Sequence, residues 1–268
     1  MILATTMEPG LIFVLAGALA GLISGLLSVG GGVITVPALL YHFHHTQIIP
    51  PHLHMQVAAG TSLAIMIFTT QAATRANFNQ DTILWDIFRR LWPGMVSGAI
   101  IGALLSDKLS THLLKNLLGF VLLFILINML FNLKKTYSNH FPRRMINDLM
   151  SFMIGLLSGL LGIGGGTLLI PYFTYCGVET RKISPLSNVC TLAIACFGTL
   201  AFMIAGLHQP GLPAYSTGYV YWPAVICIMI PIVLTASIGA RLAHTLPIRQ
   251  LKLAFAALLF FVIIHLVT

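Results

Sequence analysis

The chain repeats one stretch of sequence: GLISGLLSVGGGVITVPALL at residues 21–40 returns as GLLSGLLGIGGGTLLIPYFT at residues 155–174, with ten of the twenty positions identical. Each copy has three consecutive glycines and then a proline, Pro37 or Pro171, within strongly apolar sequence. This pattern is expected of interrupted helices in a membrane transporter. It predicts two homologous halves, residues 1–136 and residues 137–268, and places the functional region at the glycines.

The composition predicts an all-α polytopic membrane protein. Of the 268 residues, 57% are hydrophobic and only 7% are charged. Apolar runs such as residues 117–133 have about the length that is needed to cross a hydrocarbon core of roughly 30 Å. The net charge of +8 comes from connectors between such runs, where membrane orientation explains it, so nucleic acid is not an expected partner.

Several chemistries are not predicted. The sequence has no GxxxxGK[ST] phosphate-binding motif, no HExxH motif and no GxSxG motif, so neither ATP-driven transport nor an intramembrane enzyme is expected. No cofactor and no metal ion are expected. The expected partners are a small anionic substrate and the lipid bilayer, in a bacterial cytoplasmic membrane.

Each half contains five apolar elements. They lie near residues 11–28, 32–43, 57–74, 91–106 and 116–133, and near residues 150–163, 167–177, 186–206, 219–243 and 251–267. Trp92-Pro93 and Trp222-Pro223 open corresponding elements. Each glycine motif is either a single broken helix or a re-entrant hairpin, followed by three transmembrane helices.

The basic residues favour the hairpin. If each motif is a single crossing, the fourteen Lys and Arg residues divide evenly across the membrane. If each motif turns back, twelve lie on one side and only Lys108 and Lys115 lie on the other. Because basic residues concentrate on the cytoplasmic side, the sequence predicts inverted halves with both termini outside the cytoplasm.

The glycine motifs predict an anion site. Helices that restart after the break present unpaired N–H groups and a partial positive charge, and in inverted halves two restarts can face each other. The predicted substrate-binding residues are Ser28, Gly30, Gly31, Gly32, Thr35, Thr61, Ser62, Gly164, Gly165, Gly166, Thr167, Asn188 and Thr191. Ser24, Ser158 and Ser187 are further possible donors. Gly17, Gly21, Gly25, Gly155 and Gly159 are predicted instead to form helix-packing faces.

The acidic residues also favour an anion. All six, Glu8, Asp81, Asp86, Asp107, Asp148 and Glu179, fall in connectors or at the ends of apolar segments. A cation carrier or a carboxylate proton relay would place one inside the membrane. Their placement therefore favours an anion or a neutral solute.

The doubled G-x-x-S-G-x-x-x-x-G-G-G motif, GTSLAI at residues 60–65 and CTLAI at residues 190–194 resemble the sulfite exporter TauE/SafE family of bacterial membrane permeases. The resemblance covers nearly the full length. It implies transport, with export the expected direction, of a small sulfur-containing anion such as sulfite or sulfoacetate. It also implies eight helices, whereas the basic residues favour an odd number of crossings in each half.

Five histidines form a second feature. His42, His44, His45, His52 and His54 lie within thirteen residues that contain no Lys or Arg. We expect a connector outside the cytoplasm that is simply exposed, that attracts anions when its imidazoles are protonated, or that chelates a transition metal. The competing functional hypothesis is a non-transporting membrane scaffold or metal-sensing subunit that uses this connector.

Overall fold

The computed structural model describes residues 14, 17–22, 24–26, 31–76, 84–131, 144–242, 256, 259–260 and 262. The first half contains the helices α1 (Gly17–Leu26), α2 (Gly32–Thr46), α3 (His54–Ala76), α4 (Trp85–Ser106) and α5 (Thr111–Phe131). The second half contains α6 (Arg144–Leu161), α7 (Gly166–Tyr175), α8 (Thr180–Ala205) and α9 (Trp222–Leu242). Strands β1 (Ser216–Thr217) and β2 (Val220–Tyr221) pair antiparallel in the α8–α9 connector.

Four of these described helices are long and apolar enough to cross a membrane. One span, Pro51–Arg75, joins a short 3-10 turn to α3, and the other three lie within α5, α6 and α8. Helices α1 and α9 contribute shorter apolar stretches. The prediction of an all-α polytopic membrane protein is thus confirmed for the residues that the structure describes. The short β1–β2 ladder was not predicted, because two residues per strand leave no periodic pattern to detect.

Glycine permits very close packing between α4 of the first half and α6 of the second. A Cβ atom on Gly98 would lie 2.2 Å from the carbonyl oxygen of Phe152, and one on Gly102 would lie 2.3 Å from that of Leu156. Residue numbers rise together along both helices, so α4 and α6 run parallel. Gly155 approaches α4 in the same way, which confirms its predicted role in helix packing.

A matching contact joins α1 of the first half to α9 of the second. A Cβ atom on Gly17 would lie 2.9 Å from the carbonyl oxygen of Ile228, and one on Gly21 would lie 2.5 Å from that of Ile232. These two helices also run parallel. Each half therefore packs its helix before the glycine break against a helix from the other half.

Helices α3 and α8 pack together in opposite directions. Gly60 lies against Phe202, whereas Leu63 lies against Gly198. At one end of the molecule, Gln56 near the start of α3 donates to the carbonyl oxygen of Ser106 at the end of α4, at 3.3 Å. This contact shows that α3 and α4 also run in opposite directions, so α4 and α8 run parallel.

Candidate functional site

The two glycine breaks meet inside the protein. A Cβ atom on Gly32 would lie 2.4 Å from the carbonyl oxygen of Ile163 and 2.7 Å from that of Gly162. Gly31 and Gly164 have φ angles of 79° and 77°, in the left-handed region that glycine adopts without steric cost. A side chain at position 32 would push the two breaks apart. Glycine is therefore required there for the breaks to lie this close together.

Two helices start at this meeting point. Helix α2 begins after Gly31, and α7 begins after Gly165. The carbonyl oxygen of Gly31 accepts from Ile34 and Thr35, and that of Gly165 accepts from Leu168 and Leu169. The N–H groups of each first turn have no earlier carbonyl to bond, and they carry the partial positive charge of the helix start.

Hydroxyl groups of the first half form a chain that ends on the second break. Ser62 Oγ donates to the carbonyl oxygen of Gly162 at 2.9 Å, and Thr35 Oγ1 lies 2.7 Å from Ser62 Oγ. Thr35 Oγ1 also lies 3.3 Å from the carbonyl oxygen of Gly31. Each hydroxyl has one hydrogen, so Thr35 donates either to Ser62 or to Gly31. Both hydroxyl hydrogens are thereby used within the protein. Thr61 Oγ1 in turn accepts from the backbone N–H of Tyr221 at 3.0 Å.

Helix α8 of the second half holds buried polar groups without a hydrogen-bond partner. Asn188 and Thr191 are each only 1% exposed, and they lie three residues apart, on one face of α8. Within the described residues, Asn188 Nδ2 and Thr191 Oγ1 have no hydrogen-bond partner. A Cβ atom on Gly164 would lie 3.2 Å from Thr191 Cγ2, so Thr191 borders the break. Ser158 on α6 and Ser187 on α8 are also buried and have no partner among the described residues.

The side chain of Met66 lies between the two glycine motifs. A Cβ atom on Gly32 would be 2.2 Å from Met66 Cε, and one on Gly164 would be 2.4 Å from Met66 Sδ. Met66 is fully buried. Sequence reasoning missed this residue, because one methionine in an apolar helix looks like any other core residue.

Most of the predicted site residues are buried or lie in the two breaks. Thr35, Thr61, Ser62, Thr167, Asn188 and Thr191 are buried. Gly31, Gly32, Gly164, Gly165 and Gly166 form the breaks and helix starts. Thr167 Oγ1 is 3.5 Å from the carbonyl oxygen of Gly164, a long hydrogen bond. Ser28 and Gly30 lie outside the described residues.

The histidine cluster is not a single exposed connector. His42, His44 and His45 belong to α2, which continues to Thr46, and His54 begins α3. His42 and His54 are only 2% and 4% exposed, and His54 Nε2 lies 2.7 Å from the carbonyl oxygen of Ile49. Within the described part of the chain, no three His, Cys, Asp or Glu residues are placed to hold a metal ion. The expectation of an exposed connector was therefore wrong for His42 and His54.

A carboxylate joins the α8–α9 connector to the end of α4. The hydroxyl of Tyr219 donates to Asp107 Oδ1, and Gln209 Nε2 donates to the same oxygen at 3.3 Å. Burial, together with the hydrogen bond and the charge of Asp107, holds the pKa of Tyr219 above its ordinary value. Asp86, Asp107, Asp148 and Glu179 all lie at or near helix ends and none is buried, as predicted. Glu8 and Asp81 lie outside the described residues.

These observations define the class of the protein: a multi-pass α-helical membrane protein in which two glycine breaks of similar sequence meet. The chain belongs to the sulfite exporter TauE/SafE family, whose sequence model matches residues 13–266. It is therefore a membrane transporter of that type.

Individual relatives agree with this assignment. A probable membrane transporter protein of Haemophilus influenzae is 29% identical over 256 residues, which cover 95% of this chain and 97% of the relative. The probable membrane transporter protein YunE of Bacillus subtilis is 24% identical over 215 residues, covering 73% of this chain and 78% of the relative. No solved structure matches the chain.

Proposed function

We propose that the protein is a permease that exports a small anion, a sulfur oxyanion or organosulfonate of the sulfite or sulfoacetate type. The anion binds where the two glycine breaks meet. The observation that carries this proposal is a pair of buried, unpartnered donors on α8. Thr191 Oγ1 belongs to a residue that borders the break before α7, and Asn188 Nδ2 lies three residues earlier on the same face of the helix. Buried polar groups are nearly always hydrogen-bonded, so donors without a partner at this position point to an absent acceptor.

The electrostatics of the breaks suit an anion. Each helix start contributes roughly 0.3 to 2 kcal/mol toward a nearby negative charge. The described acidic residues stand at or near helix ends and are not buried, so none opposes an anion at the breaks. An inside-negative potential of 100 mV contributes about 2.3 kcal/mol per charge toward export. Membrane potential alone can therefore drive an anion outward, without ATP or a coupled ion.

We further propose that the two halves are inverted repeats, and that the chain reverses direction at each glycine break. Helix α3 runs antiparallel to α8, its counterpart in the repeat. Helices α6 and α8 both run parallel to α4, so α7 between them runs the opposite way. Helix α7 packs against α8 rather than along α6, which is consistent with a hairpin whose two arms diverge from the break.

The charged helix ends support an orientation. Arg75 ends α3, Arg89 and Arg90 lie near the start of α4, and Arg144 begins α6. Given the helix directions, these residues share one end of the molecule, whereas Lys108 follows the opposite end of α4. The positive-inside rule then assigns the arginine end to the cytoplasm. Both termini lie outside the cytoplasm in this orientation.

The test is flux in proteoliposomes. Labelled sulfite, sulfoacetate, sulfate and chloride are measured one at a time, with and without an imposed membrane potential, using empty liposomes as the control. We expect saturable flux of a sulfur oxyanion that increases when the potential favours export. Protein that is shown to be folded but moves none of the four anions would contradict the proposal.

A further inference from the structure

A cleft between α4 and α6 lies apart from the glycine breaks. Its volume is about 980 Å³, at the upper end of the roughly 300–1,000 Å³ that is typical of small-molecule sites. The lining residues are Arg89, Arg90, Pro93, Gly94, Ser97, Arg144 and Asp148.

Positive charge dominates the cleft. Three guanidinium groups and one carboxylate line it, which leaves an excess of two positive charges. Among the residues that the structure describes, the ion pair is Lys182 with Glu179, so none of the cleft arginines is paired with a carboxylate. The Ser97 hydroxyl donates to the carbonyl oxygen of Gly94 at 3.0 Å. The guanidinium groups of the three arginines are therefore the groups that would bind a ligand.

The surroundings of the cleft resemble the boundary between lipid and water. Trp85 and Trp92 are 47% and 41% exposed on the same part of α4, and tryptophan is enriched at membrane interfaces. On α6, Met145 is 84% exposed and Leu149 is 54% exposed. Charged groups beside exposed apolar groups match a ligand that has both a charged head and hydrocarbon chains.

The geometry points to a binding site for the phosphate group of an anionic phospholipid in the cytoplasmic leaflet. Arginine binds phosphate through two parallel N–H donors, which lysine does not offer. Basic pockets between membrane helices on the cytoplasmic side are known to hold such head groups. Because Arg89 and Arg90 lie on α4 and Arg144 lies on α6, the lipid would bridge the two halves of the protein.

The experiment measures lipid binding to the purified full-length protein in detergent. Phosphatidylglycerol, phosphatidylcholine and inorganic phosphate are the three probes, and native mass spectrometry together with thermal unfolding gives the readout. The variants are Arg89→Gln, Arg90→Gln, Arg144→Gln and their combination. Arg75→Gln is the matched control, because Arg75 is an exposed arginine at the same end of the molecule but outside the cleft.

We expect phosphatidylglycerol to bind and raise the unfolding temperature, while phosphatidylcholine does not. Each cleft substitution should weaken phosphatidylglycerol binding about fivefold, and Arg75→Gln should leave it unchanged. Asp148→Asn should strengthen binding, because it removes a negative charge from the cleft. Equal binding of the two lipids, or equal loss in Arg75→Gln, would overturn the proposal. Displacement of phosphatidylglycerol by inorganic phosphate at similar concentration would show a free-anion site instead of a lipid site.

Discussion

Ser62 on α3 donates a hydrogen bond to the carbonyl oxygen of Gly162, with 2.9 Å between the two oxygen atoms. The bond joins a helix of the first half to the glycine break of the second. Both groups are buried, so the carbonyl oxygen has no water to replace the serine if the hydroxyl is lost.

Substitution of Ser62 therefore tests how the two breaks are held together. We expect Ser62→Ala to lower the free energy of unfolding by about 1–3 kcal/mol, because a buried carbonyl group loses its donor. Chemical denaturation in detergent measures the change. Ser62→Thr is the control, since it keeps the hydroxyl. Equal stability of Ser62→Ala and the unmodified protein would contradict the role that we assign to this bond.

Substitution of Thr191 tests whether its hydroxyl binds the substrate or only stabilises the fold. Thr191→Val removes a buried hydroxyl that has no hydrogen-bond partner among the described residues, so we expect unchanged stability or a gain of about 1 kcal/mol. Loss of one hydrogen bond to a charged substrate should nevertheless reduce sulfite flux about tenfold or more. Proteoliposome flux and thermal unfolding are measured on the same preparation.

A matched control lies on the same helix. Thr199 is also buried and unpartnered within the described residues, but it is two turns further along α8 from the break. We expect Thr199→Val to keep normal flux. A similar loss of flux in both variants would argue against a specific contact between Thr191 and the anion.

Gly164 and Gly165 form a second matched pair. Gly164 has a φ angle of 77°, which an alanine adopts at a cost of about 1–2 kcal/mol, and its added Cβ atom would also press on Met66. Gly165 has a φ angle of −69°, and its nearest neighbour would be Ile194 Cδ1, the end of a flexible side chain. We therefore expect Gly164→Ala to reduce stability and flux more than Gly165→Ala does. The reverse order would contradict the described geometry.

Met66 is expected to limit the size of the anion, because its side chain occupies the space between the two helix starts. Met66→Ala should increase sulfoacetate flux relative to sulfite flux. It should also lower the free energy of unfolding by about 2–5 kcal/mol, the usual cost of truncating a buried methionine.

Met95→Ala separates these two effects. Met95 is equally buried, but it belongs to α4, where its backbone lies against Gly155 of α6. Its truncation should lower stability by a similar amount without changing the ratio of sulfoacetate to sulfite flux. A change of that ratio in both variants would show that Met66 does not select the substrate.

The helix breaks could be predicted from the sequence because three consecutive glycines followed by a proline disfavour a continuous helix, even in strongly apolar sequence. Which hydroxyls remain free could not be predicted. Ser62 carries the same donor group as Thr191, but its hydrogen is used on Gly162, which is 100 residues away in sequence. The burial of His42 and His54 was also missed, because a polar residue at the end of an apolar run gives no sign of what packs over it.

The close contact between α4 and α6 has a consequence for how the transporter moves. Gly98 and Gly102 bring α4 so near to α6 that sliding would drive backbone into backbone. We therefore expect these two helices to travel as one rigid body, with α1 and α9 as a second. Each body takes one helix from residues 1–136 and one from residues 137–268, so the boundary along which the protein opens would differ from the boundary between the two repeated stretches of sequence.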